Sequence, residues 1–298
     1  MFIVTHRGFF FWLTGIILVA AIAAIAVWGL PRGIDFTGGT LMQVSYPAGR
    51  PALSDIQTEV ATVPLGAVSV RAQGENAVAI RTRTMTPDEH AAVLTVLSRN
   101  ATTTELTYTS VGPALGSQFT SKALWAIVAV VLAIMLYIAF AFRKVSRPVP
   151  SWGYGITTVA MLVIDIIVPT GFYAALCHFT GAEVDSLFIV ALLALLGYVV
   201  NDIIVVFDRV REHLALNEKT NRKEPFEETI GKSIDETMTR SINTSLTVAL
   251  ALLALIFLGA PATQNFALVM LVGVVVGTFS TITRSAPLLI PLARWLAK

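Results

Sequence analysis

Asp202 stands inside "LLGYVVNDIIVVFDRVRE", Leu195 to Glu212, a run apolar enough to sit in lipid. A lone carboxylate at mid-bilayer costs roughly 2.5 to 3.5 kcal/mol on insertion scales, so a residue kept there serves a function or has a partner. Arg240 is the candidate partner. At 1.5 Å per residue from the outer ends of their runs, Ser186 and Gly259, Asp202 lies about 24 Å down and Arg240 about 28 Å down an antiparallel run. The two are expected to meet in the inner half of the membrane. Thr244 and Thr247 extend the Arg240 face with hydroxyls, and Tyr198 sits one turn above Asp202. Such a track suits the movement of a proton. Asp165, about 18 Å from Cys177, has no base among its sequence neighbours and is a candidate to be partly protonated and to join the relay. Arg284, near the far end of the last apolar run, is expected to snorkel to the interface. The competing readings are snorkelling for Arg240, a static ion pair for Asp202 and helix–helix hydrogen bonding for Asp165.

The elements that must hold these residues are membrane spans. Of 298 residues, 55% are hydrophobic and only 13% charged, with a mean hydropathy of +0.73, which excludes an ordinary soluble domain. A net charge of +2, with the bases in short clusters, argues against a nucleic-acid surface. The single cysteine, Cys177, excludes a disulfide within the chain and any Cys-pair metal site. Apolar runs predict six transmembrane helices: Phe9–Leu30, Ala123–Phe142, Ile156–Cys177, Ser186–Phe207, Ile242–Gly259 and Phe266–Thr283, the last with an alternative end past Pro287. Arg143, Lys144 and Arg147 follow the second span, and Arg209, Arg211, Lys219, Arg222, Lys223, Lys232 and Arg240 lie in the mixed-charge loop 209–240 after the fourth. The opposite loops carry no Lys or Arg, so both termini are expected in the cytoplasm.

Residues 1–30 then hold the N-terminus and first span, 31–121 form an extracytoplasmic domain, and 122–298 carry the other five helices. Within 31–121, Met42, Val44 and Tyr46 alternate as in a strand, while Leu53, Ile56, Val60 and Val63 recur at helical spacing. Val68 with Val70, Val78 with Ile80, and "TELTYTSV" read as further strands. Thr86, Pro87 and Glu89 open a second helix with a capping box. The order β-α-β-β-α-β is a small ferredoxin-like α+β unit. "GIDFTGGTL" lacks the lysine of a phosphate loop. It is expected to be the hinge between span and strand, with Gly33, Gly38 and Gly39 supplying the turn and Asp35 free to reach the membrane bundle. Phe226, Ile230, Ile234 and Met238 predict an amphipathic helix on the inner face of the membrane or against a partner. "GVVVG", Gly273 to Gly277, predicts close packing between spans.

Taken together, "GIDFTGGT", "SVGPALGSQ", "GYVVNDIIVVFDRVRE" and "NFALVMLVGVVVGTFST" resemble, in order, the SecD/SecF family of protein-export membrane proteins. The resemblance implies an RND-superfamily bundle paired with SecD, attached to the SecYEG channel, with YajC and a membrane insertase as further partners. It implies that the proton-motive force, with protons as coupling ion and no other cofactor, promotes translocation of preprotein after SecA has acted. The proton-relay residues would be Asp202, Arg240 and Asp165, supported by Tyr198, Asn201 and Thr244. This chain departs from the family pattern at Val199 and Ile203, where hydroxyls are usual, and at Ile164, where a histidine is common. Two other readings compete: a small-solute efflux subunit of the same superfamily, and an intramembrane aspartyl protease using Asp165 and Asp202.

Overall fold

The computed structural model describes residues 2–99, 101–143 and 148–296, so Lys144 and Arg147, between the second and third spans, lie outside the described residues. The chain divides into two compact units. One comprises Met1–Leu30, Trp125–Thr180 and Leu187–Lys298; the other comprises Pro31–Leu124 with Gly181–Ser186.

The first unit opens with a short turn of helix, α1 (Phe2–Thr5), and the first long helix, α2 (Arg7–Trp28). Beyond α2 the chain enters the second unit through a one-turn helix, α3 (Ile34–Thr37). There β1 (Gly39–Ser45), α4 (Leu53–Val60), β2 (Ser69–Gln73), β3 (Ala77–Thr82), α5 (Pro87–Leu97) and β4 (Thr104–Val111) follow in order. The sheet runs β2-β3-β1-β4, every pair antiparallel, consistent with the expected ferredoxin-like split pattern. Its core is the set that alternation and helical spacing select: Met42, Val44, Tyr46, Ile56, Val60, Val78 and Ile80, with Val93 and Leu97 from α5. The Thr86 hydroxyl accepts from the Glu89 amide while the Glu89 carboxylate accepts from the Thr86 amide, closing the capping box that starts α5.

Among the described residues, six helices are long and apolar enough to cross a membrane. After α2 they are α6 (Pro113–Ala141), α7 (Ser151–Thr180), α8 (Ser186–Lys219), α9 (Phe226–Leu258) and a last stretch made of α10 (Pro261–Ser280), a π-helical turn (Thr281–Ser285) and α11 (Leu289–Leu296). Helices answer the demand of lipid that every backbone N–H and C=O be bonded within the segment. In the bundle α7, α8 and the last stretch form the buried centre, whereas α2 and α6 expose most of their apolar surface. Two close crossings set this packing. A Cβ at Gly171 of α7 would fall 2.5 Å from the Ala21 Cα of α2, and Cβ atoms at Gly273 and Gly277 of α10 would fall within 2.5 Å of Leu195 and Val199 of α8. "GVVVG" is therefore the groove that receives α8, as small-xxx-small spacing predicts.

One expectation needs correction. The amphipathic repeat from Phe226 to Met238 is not a separate surface helix. It is the first third of α9, with Ile230 and Ile234 buried in the bundle together with Thr229, Ser233 and Thr237. Only residues 220–225 lie outside helix between α8 and α9. Its apolar stripe is continuous with that of the span, so packing within the chain buries the face that composition alone would assign to a membrane surface.

Candidate functional site

The glycine-rich junction shows why its residue types are needed. Gly33 donates to the Val184 carbonyl and Val184 donates back to Pro31, so the entry strand is clamped to residues 181–186. Gly38 and Gly39 both have positive φ, and a Cβ on Gly38 would come within 2.7 Å of the Pro113 backbone. From the other side, Gly116 brings α6 equally close to Gly38. Asp35 turns its carboxylate to the start of α8 and accepts from the Ser186 amide at 2.7 Å. This amide is one of the donors that a helix N-terminus leaves without an internal partner, and a carboxylate there also suits the helix dipole.

Asp202 lies in the buried face of α8 at 9% exposure. Its partner is Ser241, whose Oγ donates to Oδ1 at 2.5 Å. Arg240, the residue before, is exposed, and no contact of 4.0 Å or less joins it to Asp202; it acts on the carboxylate only through its longer-range field. Successive residues leave a helix about 100° apart, so an error of one position in the facing register exchanges a buried residue for an exposed one. The same offset holds a turn further on. Thr244 and Thr247, expected on the polar track, are exposed, while Ser245 is buried.

Ser245 connects three helices. Its Oγ lies 2.7 Å from the Tyr198 hydroxyl of α8 and 2.5 Å from Thr278 Oγ1 of α10, and it donates to the Ser241 carbonyl of its own helix. Because α8 and α9 run antiparallel, Asp202 with Ser241 and Tyr198 with Ser245 form two rungs one turn apart, about 6 Å along the axis. Tyr198 thus takes part in the polar ladder, whereas Asn201 points to the exposed side. The hydroxyls on this face come from Ser241 and Ser245 of α9 and Thr278 of α10, whereas Val199 and Ile203 of α8 are apolar. Val199 instead fills the space over Gly277.

Asp165 is almost completely buried in α7 and does have a base. Arg284 Nη2 approaches its Oδ1 at 3.4 Å, with side-chain exposures of 4% for the arginine and 2% for the aspartate. The expectation that Arg284 snorkels is therefore overturned. The helical stretch runs from Ala262 to Leu296, in line with the longer of the two expected ends, and Arg284 falls well inside it. The Ser241/Ser245 i,i+4 spacing beside Arg240 is a sequence signal for the first partner, and the apolar turns after Arg284 signal that it lies inside the span, though not which residue it meets. Asp165 and Asp202 are held by different partners, which is not the geometry of a proton-sharing carboxylate dyad.

Residues 92–295 match the family described as "Protein export membrane protein SecD/SecF, C-terminal", and residues 23–46 match the "SecD/SecF GG Motif". The latter covers the glycine junction. Protein translocase subunit SecF of Thermobaculum terrenum is 35% identical over 97% of this chain and 92% of its own length. SecF of Anaerolinea thermophila is 33% identical over the same shares. Among solved structures, SecDF of Thermus thermophilus, a translocon-associated membrane protein, superposes with a TM-score of 0.83 at 26% identity over 99% of this chain, which spans 38% of that longer one. Fold, glycine junction and sequence agree, and the chain belongs to the SecD/SecF family of protein-export membrane proteins.

Proposed function

We propose that this chain works in protein export across the bacterial cytoplasmic membrane as the partner of SecD, and that protons are its coupling ion. Both termini would face the cytoplasm and residues 31–121 the far side, with the SecYEG channel, YajC and a membrane insertase as further partners and a translocating preprotein as cargo. The observation that carries the proton reading is the placement of Asp202, a carboxylate inside a span, hydrogen-bonded to Ser241 and one turn from the Tyr198–Ser245–Thr278 hydroxyl cluster. Intramembrane carboxylates of this kind mark ion paths.

The chemistry is binding and release, with no covalent step. As a carboxylate, Asp202 accepts from Ser241 and is stabilised by the field of Arg240. As a neutral acid it gains an O–H donor and loses its attraction for Arg240, so α8 and α9 have a different preferred packing. One proton crossing 100 mV supplies about 2.3 kcal/mol, enough to shift a two-state equilibrium by roughly fifty-fold. Asn201 of α8 and Arg240 and Thr244 of α9 are exposed and would meet whatever covers them. Asp165 would be a second member of the relay.

The test is translocation in vesicles holding this chain, its SecD partner and the channel, with Asp202→Asn compared to wild type with and without an imposed proton gradient. Loss of the gradient-dependent part, with the gradient-independent part retained, is expected. A variant that still responds to the gradient as wild type does would remove Asp202 from the mechanism.

A further inference from the structure

The beginning of the π-helical turn lies between the two buried carboxylates. Ser280 faces Asp165, and its neighbour Thr281 faces Asp202. Arg284, one turn on, returns to Asp165. All three are buried, Ser280 and Thr281 completely. Yet Asp165 Oδ2, Asp202 Oδ2, Ser280 Oγ, Thr281 Oγ1 and Arg284 Nε each lack a well-formed direct hydrogen bond. A sixth polar atom joins them for a covalent reason. Pro169, inside α7, has no N–H to give to the carbonyl four residues earlier, which is that of Asp165.

Scattered through a bundle, six such atoms would be separate defects, each costing several kcal/mol in lipid. Here the side-chain atoms gather around little more than one turn of one helix, Ser280 to Arg284, and the two carboxylates it separates. Buried water typically makes about three hydrogen bonds to such groups, and helices broken by proline in membranes regain their bonds partly through ordered water. A π-helical turn is itself the kind of irregularity found at functional sites.

We propose that Asp165, Ser280, Thr281, Arg284 and the inner oxygen of Asp202 line a buried water-binding compartment that couples the two carboxylates through the π-helical turn. Its water satisfies the six atoms and links the Asp165–Arg284 pair to Asp202, so a change of charge at one carboxylate is felt at the other. The groups facing Asp202 are Ser241, Thr281 and, at longer range, Arg240; those facing Asp165 are Arg284 and Ser280. The importance of this coupling for export rests on the proton reading of Asp202, but the existence of the compartment does not.

Infrared difference spectroscopy of the full chain in lipid nanodiscs, stepped in pH and repeated in H2(18)O, tests it with water itself as the probe. Wild type should show isotope-sensitive bands of internal water and a carboxyl band assigned to Asp202 by its loss in Asp202→Asn. Thr281→Val keeps the side-chain shape, and Ser280→Ala is a second, smaller change in case the first fails to fold. Both should remove or displace the water bands and move the pH midpoint of the Asp202 band by about half a unit or more, while Thr247→Val on the exposed face of α9 should do neither. Unchanged water bands, or an unchanged midpoint, in a folded variant would overturn the proposal. Failure of Asp202→Asn to affect gradient-driven export would remove the proton reading while leaving this infrared result to stand or fall alone.

Discussion

Arg284→Gln and Asp165→Asn, made singly and together, measure how much the buried pair holds the bundle. The charges lie 3.4 Å apart with almost no exposure, so solvent screens them little. At that separation the Coulomb attraction is about 5 kcal/mol with an effective dielectric constant near 20. The net contribution is smaller because both ions were desolvated, but removing one partner leaves the other charge buried and costs about 3 to 5 kcal/mol. Asp165→Asn should be the more damaging of the two, since a guanidinium cannot shed its charge whereas a carboxyl can take up a proton. The double variant replaces both ions with amides and should be less damaging than the sum of the singles by about 2 kcal/mol. Denaturant titration of the purified full chain in lipid bicelles, followed by circular dichroism, gives the three values. If each single costs less than about 1 kcal/mol and the two simply add, the pair does not hold the bundle and the reasoning from burial fails.

Two other outcomes follow from separate parts of the molecule. Gly277→Ala should cost about 1 to 3 kcal/mol because its Cβ would sit 2.5 Å from Val199, and Val199→Ala in that background should recover part of the loss; strict additivity in the same titration would show that the contact is not the cause. Hydrogen bonds from Arg83 first, then from the Thr86 amide, hold the Glu89 carboxyl down to about 2. A lowered folded-state value contributes stability that is present above the ordinary 4.5 and lost as pH falls toward 2. Hydrogen-exchange protection of α5 in the full chain should therefore fall through that window in wild type and show no such step in Glu89→Gln; matching profiles would contradict the assignment.

Most of the α+β unit was legible because its signals are local. Alternation at Met42, Val44 and Tyr46 and the capping box at Thr86 depend on residues within a few positions of one another, and the β4 segment is bounded by its own pattern. Spans were legible as apolar runs, but their ends were not, since hydropathy marks where lipid is tolerated and α8 and α9 remain helical well beyond it. Partner choice failed for a geometric reason. Depth along an axis is one coordinate, and rotation about it is another that changes by about 100° per residue. Arg240 and Ser241 differ by little in depth, yet only Ser241 turns toward Asp202. The π-helical turn adds a second source of error, because a wider turn shifts the phase of every residue after it relative to an α-helical count. Arg284 lies in that turn, so neither its distance from the start of the run nor an α-helical wheel would aim it at Asp165. Sequence spacing can therefore nominate the charged residues of such a bundle, while their pairing depends on how the helices are rotated against one another, which close packing such as that of Leu195 and Val199 into the Gly273–Gly277 groove fixes for α8 and α10.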